Sequence, residues 1–307
     1  MKWTKRSLSC PVLVAVCMAL CYITFLSTGR CEEDRQSVSE VQTWDDAAYR
    51  SQLACDSPEV QLVNVSDWHG YTCYELTFEG RQALIAVPRE AAVGRPWVWR
   101  ARFWGHEPQT DLAMLARGWH VAYVDSAPLL GSPESVALWQ KFYLFVTQHL
   151  ALAPKACLEG MSRGGLYISN WAVAYPDQIA AIYLDNPVLD FRVWPGGGGK
   201  SQAGRSESDW QAILTYYHLT EEQAMAYDKC PVDTCDILVA AKIPMILICG
   251  DSDRVVPYSD NGQKLYEKYQ AAGAPIKLIL KPGADHHPHS LPDATPIVEF
   301  FLAAFGN

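Results

Sequence analysis

A serine stands between two glycines in Gly160-Met161-Ser162-Arg163-Gly164, directly after the apolar run "KACLE". A serine hydroxyl becomes a nucleophile when a base removes its proton and a third group orients that base. The chain supplies candidates for both further on. "GDSDRVVP" offers Asp251 and Asp253, and "PGADHHPHS" offers His286, His287 and His289. Asp253 is the preferred acid, three residues after Gly250 and four before Pro257. Asp251 is the alternative, and a turn-forming aspartate is the plain structural reading of either. His286, three residues beyond Gly283, is the preferred base, with His287 as runner-up. The glycines beside Ser162 suit a tight strand-to-helix turn, where larger residues would clash and the serine backbone is strained. The helix that follows favours negative charge developing at its N-terminus. Alone, the same five residues also fit an ordinary glycine-rich turn. The three histidines within four positions raise the question of a metal, but no partner ligands stand at suitable spacing. No metal and no cofactor are expected.

These groups need a frame that brings them together. Alternation over "VQLVNVSDW", "TCYELTFEG" and "RQALIAVP" predicts opening antiparallel strands between Val60 and Val87. The rhythm then becomes strand, helix, strand, helix. "WVWRARF" (97–103), "WHVAYVD" (119–125), "KACLE", "IAAIYLD", "IPMILICG" and "PIKLILKPG" read as strands. Helices are predicted over 110–118, 132–150 with Ser132 as cap and Pro133 in its first turn, the stretch after Ser162, 258–273 and 293–305. Such alternation predicts a mostly parallel central sheet with helices on both faces. Residues 186–242 break it with the glycine-rich "PGGGGKSQAGRSES" and two helices capped at Ser208 and Thr220, read as a small cap insertion.

"GMSRGG", "GDSDRVVP" and "PGADHH", in the order Ser, Asp, His and each just past a strand, resemble the α/β-hydrolase superfamily over nearly the whole chain after residue 58. The resemblance implies acyl transfer. Ser162 attacks a carbonyl, His286 takes and returns the proton, and Asp253 holds the imidazole. It also implies an oxyanion hole from two backbone N–H groups. One is assigned to Met161, the other to Arg102 in the loop after "WVWR", with Phe103 next. The superfamily often has His-Gly in that loop, whereas this chain has "RARFWGHEP". Arg163 makes the elbow similar to that of glucuronoyl esterases, where an arginine assists the oxyanion; an ion pair with Glu107 or Glu159 is the equal alternative. Trp104, Glu107 and Trp194, with His106 and Trp210, are the candidates for contacting substrate, though tryptophans pack cores as readily. The expected activity is that of an exported serine esterase acting on small or carbohydrate-linked esters. A peptidase of the same fold, or a silent binding protein, are the other readings.

The chain has 307 residues and a formal net charge of −9. Residues 1–29 read as a signal peptide, with Lys2, Lys5 and Arg6 before an apolar run from Leu8 to Leu26 and Ser27 and Gly29 near the cleavage site. A secreted or periplasmic location follows, with an uncleaved membrane anchor as the competing reading. Cleavage removes those three positive charges, giving −9 − 3 = −12. No basic patch interleaved with aromatics argues for nucleic acid. Residues 30–57 are expected to be a linker and 58–307 one catalytic domain. Of ten cysteines, seven follow the leader. Cys230–Cys235 and then Cys55–Cys73 are the disulfide candidates, while Cys157 and Cys249 read as buried thiols. Asn64 begins a glycosylation sequon.

Overall fold

The computed structural model describes residues 42–43, 46–53 and 59–306. The expected leader and its cleavage site, together with Cys31 and Cys55, lie outside them. Ser39–Asn307 form one compact unit.

Strand β1 (Gln42–Thr43) and helix α1 (Asp46–Leu53) fall within the stretch expected to be linker. Tyr49 and Leu53 of α1 are buried, so part of that stretch belongs to the core. β2 (Val60–Trp68), β3 (Tyr71–Phe78) and β4 (Arg81–Ala86) form an antiparallel meander, and β5 (Glu90–Ala91) pairs with β1. Then follow β6 (Trp97–Ala101), α2 (Gln109–Leu115), β7 (His120–Val124), α3 (Pro133–Gln148), β8 (Ala156–Met161), α4 (Gly164–Ala174) and β9 (Ile179–Asp185). Between β9 and the next strand lie α5 (Glu207–Tyr216), α6 (Glu221–Met225), α7 (Pro231–Thr234) and α8 (Asp236–Ala240). The chain closes with β10 (Met245–Gly250), α9 (Gly262–Ala271), β11 (Ile276–Lys281) and α10 (Thr295–Phe305).

Among the described residues, nine strands form one open sheet in the order β11-β10-β9-β8-β6-β7-β4-β3-β2. The pairings from β7 to β11 are parallel, and β4 joins β7 antiparallel. Burial of both faces explains why the central strands read as continuous apolar runs. Trp97 and Trp99 of β6 face the side covered by α3, α4 and α9, where Trp99 stacks on Trp139 at 4.2 Å. Val98, Cys157 and Tyr183 face the other side with Met114 of α2 and Ile297 and Phe301 of α10. From β6 the chain steps to β7 on one side and then to β8 on the other. That reversal opens a crevice at the carboxyl ends of β6 and β8, where open α/β sheets bind ligands.

Ser132 caps α3, accepting from the Ser135 N–H at 3.3 Å with Pro133 in the first turn, and Thr220 caps α6 in a capping box with Gln223. The cap of α5 is Ser206 rather than Ser208, which lies inside the helix. The expected Cys230–Cys235 disulfide is absent: both thiols are free and buried, at opposite ends of α7. Cys235 Sγ donates instead to the Val232 carbonyl at 3.6 Å. Burial pushes both thiols up. Cys73, Cys157 and Cys249 are also buried free thiols.

Candidate active site

The turn from β8 into α4 holds Ser162 at φ +50, a left-handed conformation that a non-glycine residue keeps only where its surroundings enforce it. They do so here by close packing. A Cβ on Gly164 would lie 2.9 Å from the Ala101 carbonyl at the end of β6, and one on Gly165 would lie 2.7 Å from the Val188 carbonyl. The Ser162 N–H donates to Asp185 O at 2.9 Å, and the Val188 N–H returns to Ser162 O at 2.9 Å. Gly164→Ala is therefore expected to cost about 1–3 kcal/mol, because backbone, not a mobile side chain, must move. Thermal unfolding and the rate of fluorophosphonate labelling would both register the change.

The Ser162 Oγ lies 2.9 Å from His286 Nε2, and His286 Nδ1 lies 2.7 Å from Asp253 Oδ2. Asp253 Oδ1 accepts the N–H groups of Val255 and Val256 at 2.9 and 2.8 Å. The carboxylate is thus fixed by its own loop and needs no other partner to hold its angle. All three residues are almost wholly buried. Asp251, the alternative acid, points elsewhere: its Oδ1 accepts from the Gly283 N–H at 2.8 Å and from the Ser252 hydroxyl, a turn-forming role. His287, the alternative base, is exposed. Partial desolvation at the cavity wall and the neighbouring histidines lower its pKa.

Sequence reading missed the residues that fix these loops. Asn186, just after β9, donates Nδ2 to the His286 carbonyl at 2.8 Å and accepts from the Gly250 N–H at 2.7 Å, tying the histidine loop to the end of β10. Asp285 binds Arg254 through Nε at 2.7 Å and accepts the His286 N–H at 2.8 Å. Asp185 holds His289 Nδ1 at 2.7 Å. A polar residue in the last position of a buried parallel strand, as in "YLDNP", was the available signal.

Ser162, Arg163, Phe103, His106, Trp194, Val255, His286, His287 and His289 line a cavity of about 470 Å³. Arg163 pairs with neither Glu107 nor Glu159. Its guanidinium binds Asp209 of α5 at 2.9 Å and lies 5.0 Å from the Trp194 ring centroid, so it joins the elbow to the segment between β9 and β10. Glu107 instead accepts from Gln109 at 2.7 Å. Trp104 does not line the cavity; it packs against Trp68 at 4.6 Å and Tyr123 at 5.9 Å. Trp210 is buried and donates to Glu221 at 2.6 Å. Of the substrate-contact candidates, Arg163, His106 and Trp194 reach the cavity.

The Met161 assignment is corrected by chain order. Met161 precedes Ser162, ends β8 and is buried, with its sulfur 3.7 Å from Arg100 Nη2. The residue after the serine is Arg163, whose backbone opens α4. Arg102 and Phe103 follow β6 directly with φ +65 and +50, next to the Ala101 carbonyl that nearly touches the elbow. The Arg102 side chain turns away to Asp125 at 3.0 Å.

The family model described as the prolyl oligopeptidase family matches residues 142–307, which include the serine, the aspartate and the histidine. No curated protein sequence matches the chain. Among solved structures it is similar to a puromycin-hydrolyzing peptidase of Mycobacterium tuberculosis, with 17% identity and a TM-score of 0.55 over 74% of this chain and 37% of that one. Dipeptidyl peptidase 4 of Porphyromonas gingivalis gives 14% and 0.53 over 74% and 33%. An S-formylglutathione hydrolase of Agrobacterium tumefaciens gives 13% and 0.54 over 80% and 97%. The match thus spans between a third and two fifths of the two peptidases and nearly all of the S-formylglutathione hydrolase.

Proposed function

Because this chain belongs to the prolyl oligopeptidase family and has the α/β-hydrolase fold of serine hydrolases, we propose that it hydrolyses carboxylic esters with small polar groups, carbohydrate-linked esters among them. Ser162 Oγ attacks the ester carbonyl as His286 Nε2 takes its proton. Asp253 keeps the imidazole in the required tautomer and offsets its charge. The N–H of Arg163, with that of Arg102 or Phe103, receives the oxyanion. His286 then protonates the leaving alcohol, and water repeats the sequence to release the acid. Export through the leader is part of the same proposal.

The observation that carries the ester reading is the cavity wall. Among the described residues it holds Arg163 and four histidines but no carboxylate. A site for the free amino terminus of a peptide needs a buried anion to replace the water that an ammonium group loses. This wall supports a neutral or anionic substrate, with the Arg163 guanidinium beside the reacting carbonyl. The family match favours a second reading, hydrolysis of amide bonds in short peptides.

A panel of short-chain p-nitrophenyl esters and peptide p-nitroanilides separates the two. Ester turnover with at most trace anilide turnover is expected, and the reverse ranking would move the assignment to a peptidase. Arg163→Met is expected to raise KM for an ester with a carboxylate-bearing acyl group by about 10- to 100-fold, the worth of one charge-assisted contact. An uncharged ester of equal size should be little affected. Equal effects on both would remove Arg163 from substrate recognition.

A further inference from the structure

Four imidazoles converge on the cavity from two loops: His106 after β6, and His286, His287 and His289 after β11. The ring centroids of the last three lie 4.7–5.0 Å apart, and His106 stands 6.0 Å from His289. One ring nitrogen from each of His286, His287 and His289 can be chosen so that all lie within 4.8 Å of one another. Two of the rings have a buried carboxylate behind them, Asp253 on His286 Nδ1 and Asp185 on His289 Nδ1, each at 2.7 Å. Asp185 is itself fixed by the Ser290 N–H at 2.8 Å and the Tyr183 hydroxyl at 3.1 Å. A carboxylate on one ring nitrogen orients a metal-ligating histidine and leaves the other lone pair free. The histidine cluster is visible in the sequence, but its support is not, because Asp185 stands 104 residues from the histidine it holds.

We propose that His286, His287 and His289 form a binding site for a borderline divalent transition ion, of which Zn²⁺ is the type, and that its occupancy reversibly silences the hydrolase. Each imidazole gives a lone pair, and no proton need leave a neutral ring. The bond that breaks is the hydrogen bond between Ser162 Oγ and His286 Nε2. Tetrahedral zinc at about 2.0–2.1 Å from nitrogen places its ligands about 3.4 Å apart, so each ring closes in by less than about 1 Å. Water or His106 completes the shell. The five described cysteines are buried and do not compete for the ion. The inhibitory consequence rests on His286 acting as the base; the binding site does not.

The test is equilibrium dialysis of the untagged full chain against Zn²⁺, with the Co²⁺ electronic spectrum as a second readout, on wild type, Ser162→Ala and His287→Ala. His287 is the exposed member, so its removal leaves the packed core intact. One Zn²⁺ per chain is expected in wild type and Ser162→Ala, with nitrogen-type and no thiolate-type Co²⁺ bands. His287→Ala should bind Zn²⁺ at least about tenfold more weakly, as expected on losing one of three protein ligands. Ester turnover in wild type should fall with Zn²⁺ and return with a chelator. Unchanged affinity in His287→Ala, or a thiolate spectrum, overturns the site. Zn²⁺ binding without any ester turnover would sink the esterase reading and leave the site standing. Turnover indifferent to bound Zn²⁺ would refute the silencing.

Discussion

Ser162→Ala is expected to lower kcat/KM for a p-nitrophenyl ester by ~10,000- to 1,000,000-fold, the range seen when a triad nucleophile is removed. The magnitude follows from what remains. Without Oγ, His286 Nε2 faces the cavity with nothing to deprotonate except water, and no acyl-enzyme can form. The variant should fold unchanged. Alanine fits the same strained backbone at φ +50 about as well as serine does. The Ser162 N–H bond to Asp185 and the Val188 bond to Ser162 O involve main chain alone. The cost is one side-chain hydrogen bond, roughly 0.5–1.5 kcal/mol. Thermal unfolding checks that part, and stoichiometric fluorophosphonate labelling of wild type but not of the variant checks the rest. Residual activity within tenfold of wild type would point to water activated by His289, whose Nδ1 is already held by Asp185.

The expectation of an α/β-hydrolase fold was legible because its signal is local. "MILICG" is apolar on both faces and "WVWRA" is so but for Arg100, as buried parallel strands read, and Ser132 with Pro133 announces the start of α3. The order of serine, aspartate and histidine was legible for the same reason, since each follows a strand that can be read. What escaped depends on pairs distant in sequence. Arg163 finds Asp209, 46 residues away, because α5 folds back over the elbow. Trp104 looks like a substrate platform in the sequence, but the meander supplies Trp68 to cover it. The short spacing of Cys230 and Cys235 suggests a disulfide, but a proline-initiated turn of helix separates the two thiols. The stretch read as linker was polar enough to mislead, yet Tyr49 and Leu53 recur at helical spacing and are buried.

Arg100→Met is expected to destabilise the protein by about 3–5 kcal/mol, the cost of leaving buried carboxylates without their cation. Arg100 and Glu159 are register partners on adjacent parallel strands, and both point to the face covered by α2. There Arg100 Nη1 binds Glu159 at 2.8 Å and Asp111 at 2.5 Å, with all three side chains at most 1% exposed. Burial first, and Asp111 beside it, raise the Glu159 carboxyl well above the ordinary range. Burial raises Asp111 as well. Both carboxyls thus hold a proton to higher pH than they would in the unfolded chain, which lessens the negative charge buried beside Arg100. The sign of its pH dependence follows. The folded state keeps a proton that the unfolded chain releases above the ordinary carboxylate pKa, so stability declines as pH rises from there toward the folded value. Removing the guanidinium raises both acids further and should steepen that decline, which urea unfolding at several pH values would measure. The triple change Arg100→Met, Asp111→Leu, Glu159→Met should recover most of the lost stability, since no charge then remains buried. It should not recover activity. Arg100 Nε also donates to the Phe103 carbonyl at 3.2 Å, and Nη2 donates to the carbonyl of His106. The guanidinium thus holds the loop that carries Arg102 and Phe103 beside the elbow from beneath. A stable triple variant with wild-type kcat would show that the loop holds its shape without Arg100, and would reduce the trio to a structural element of the core.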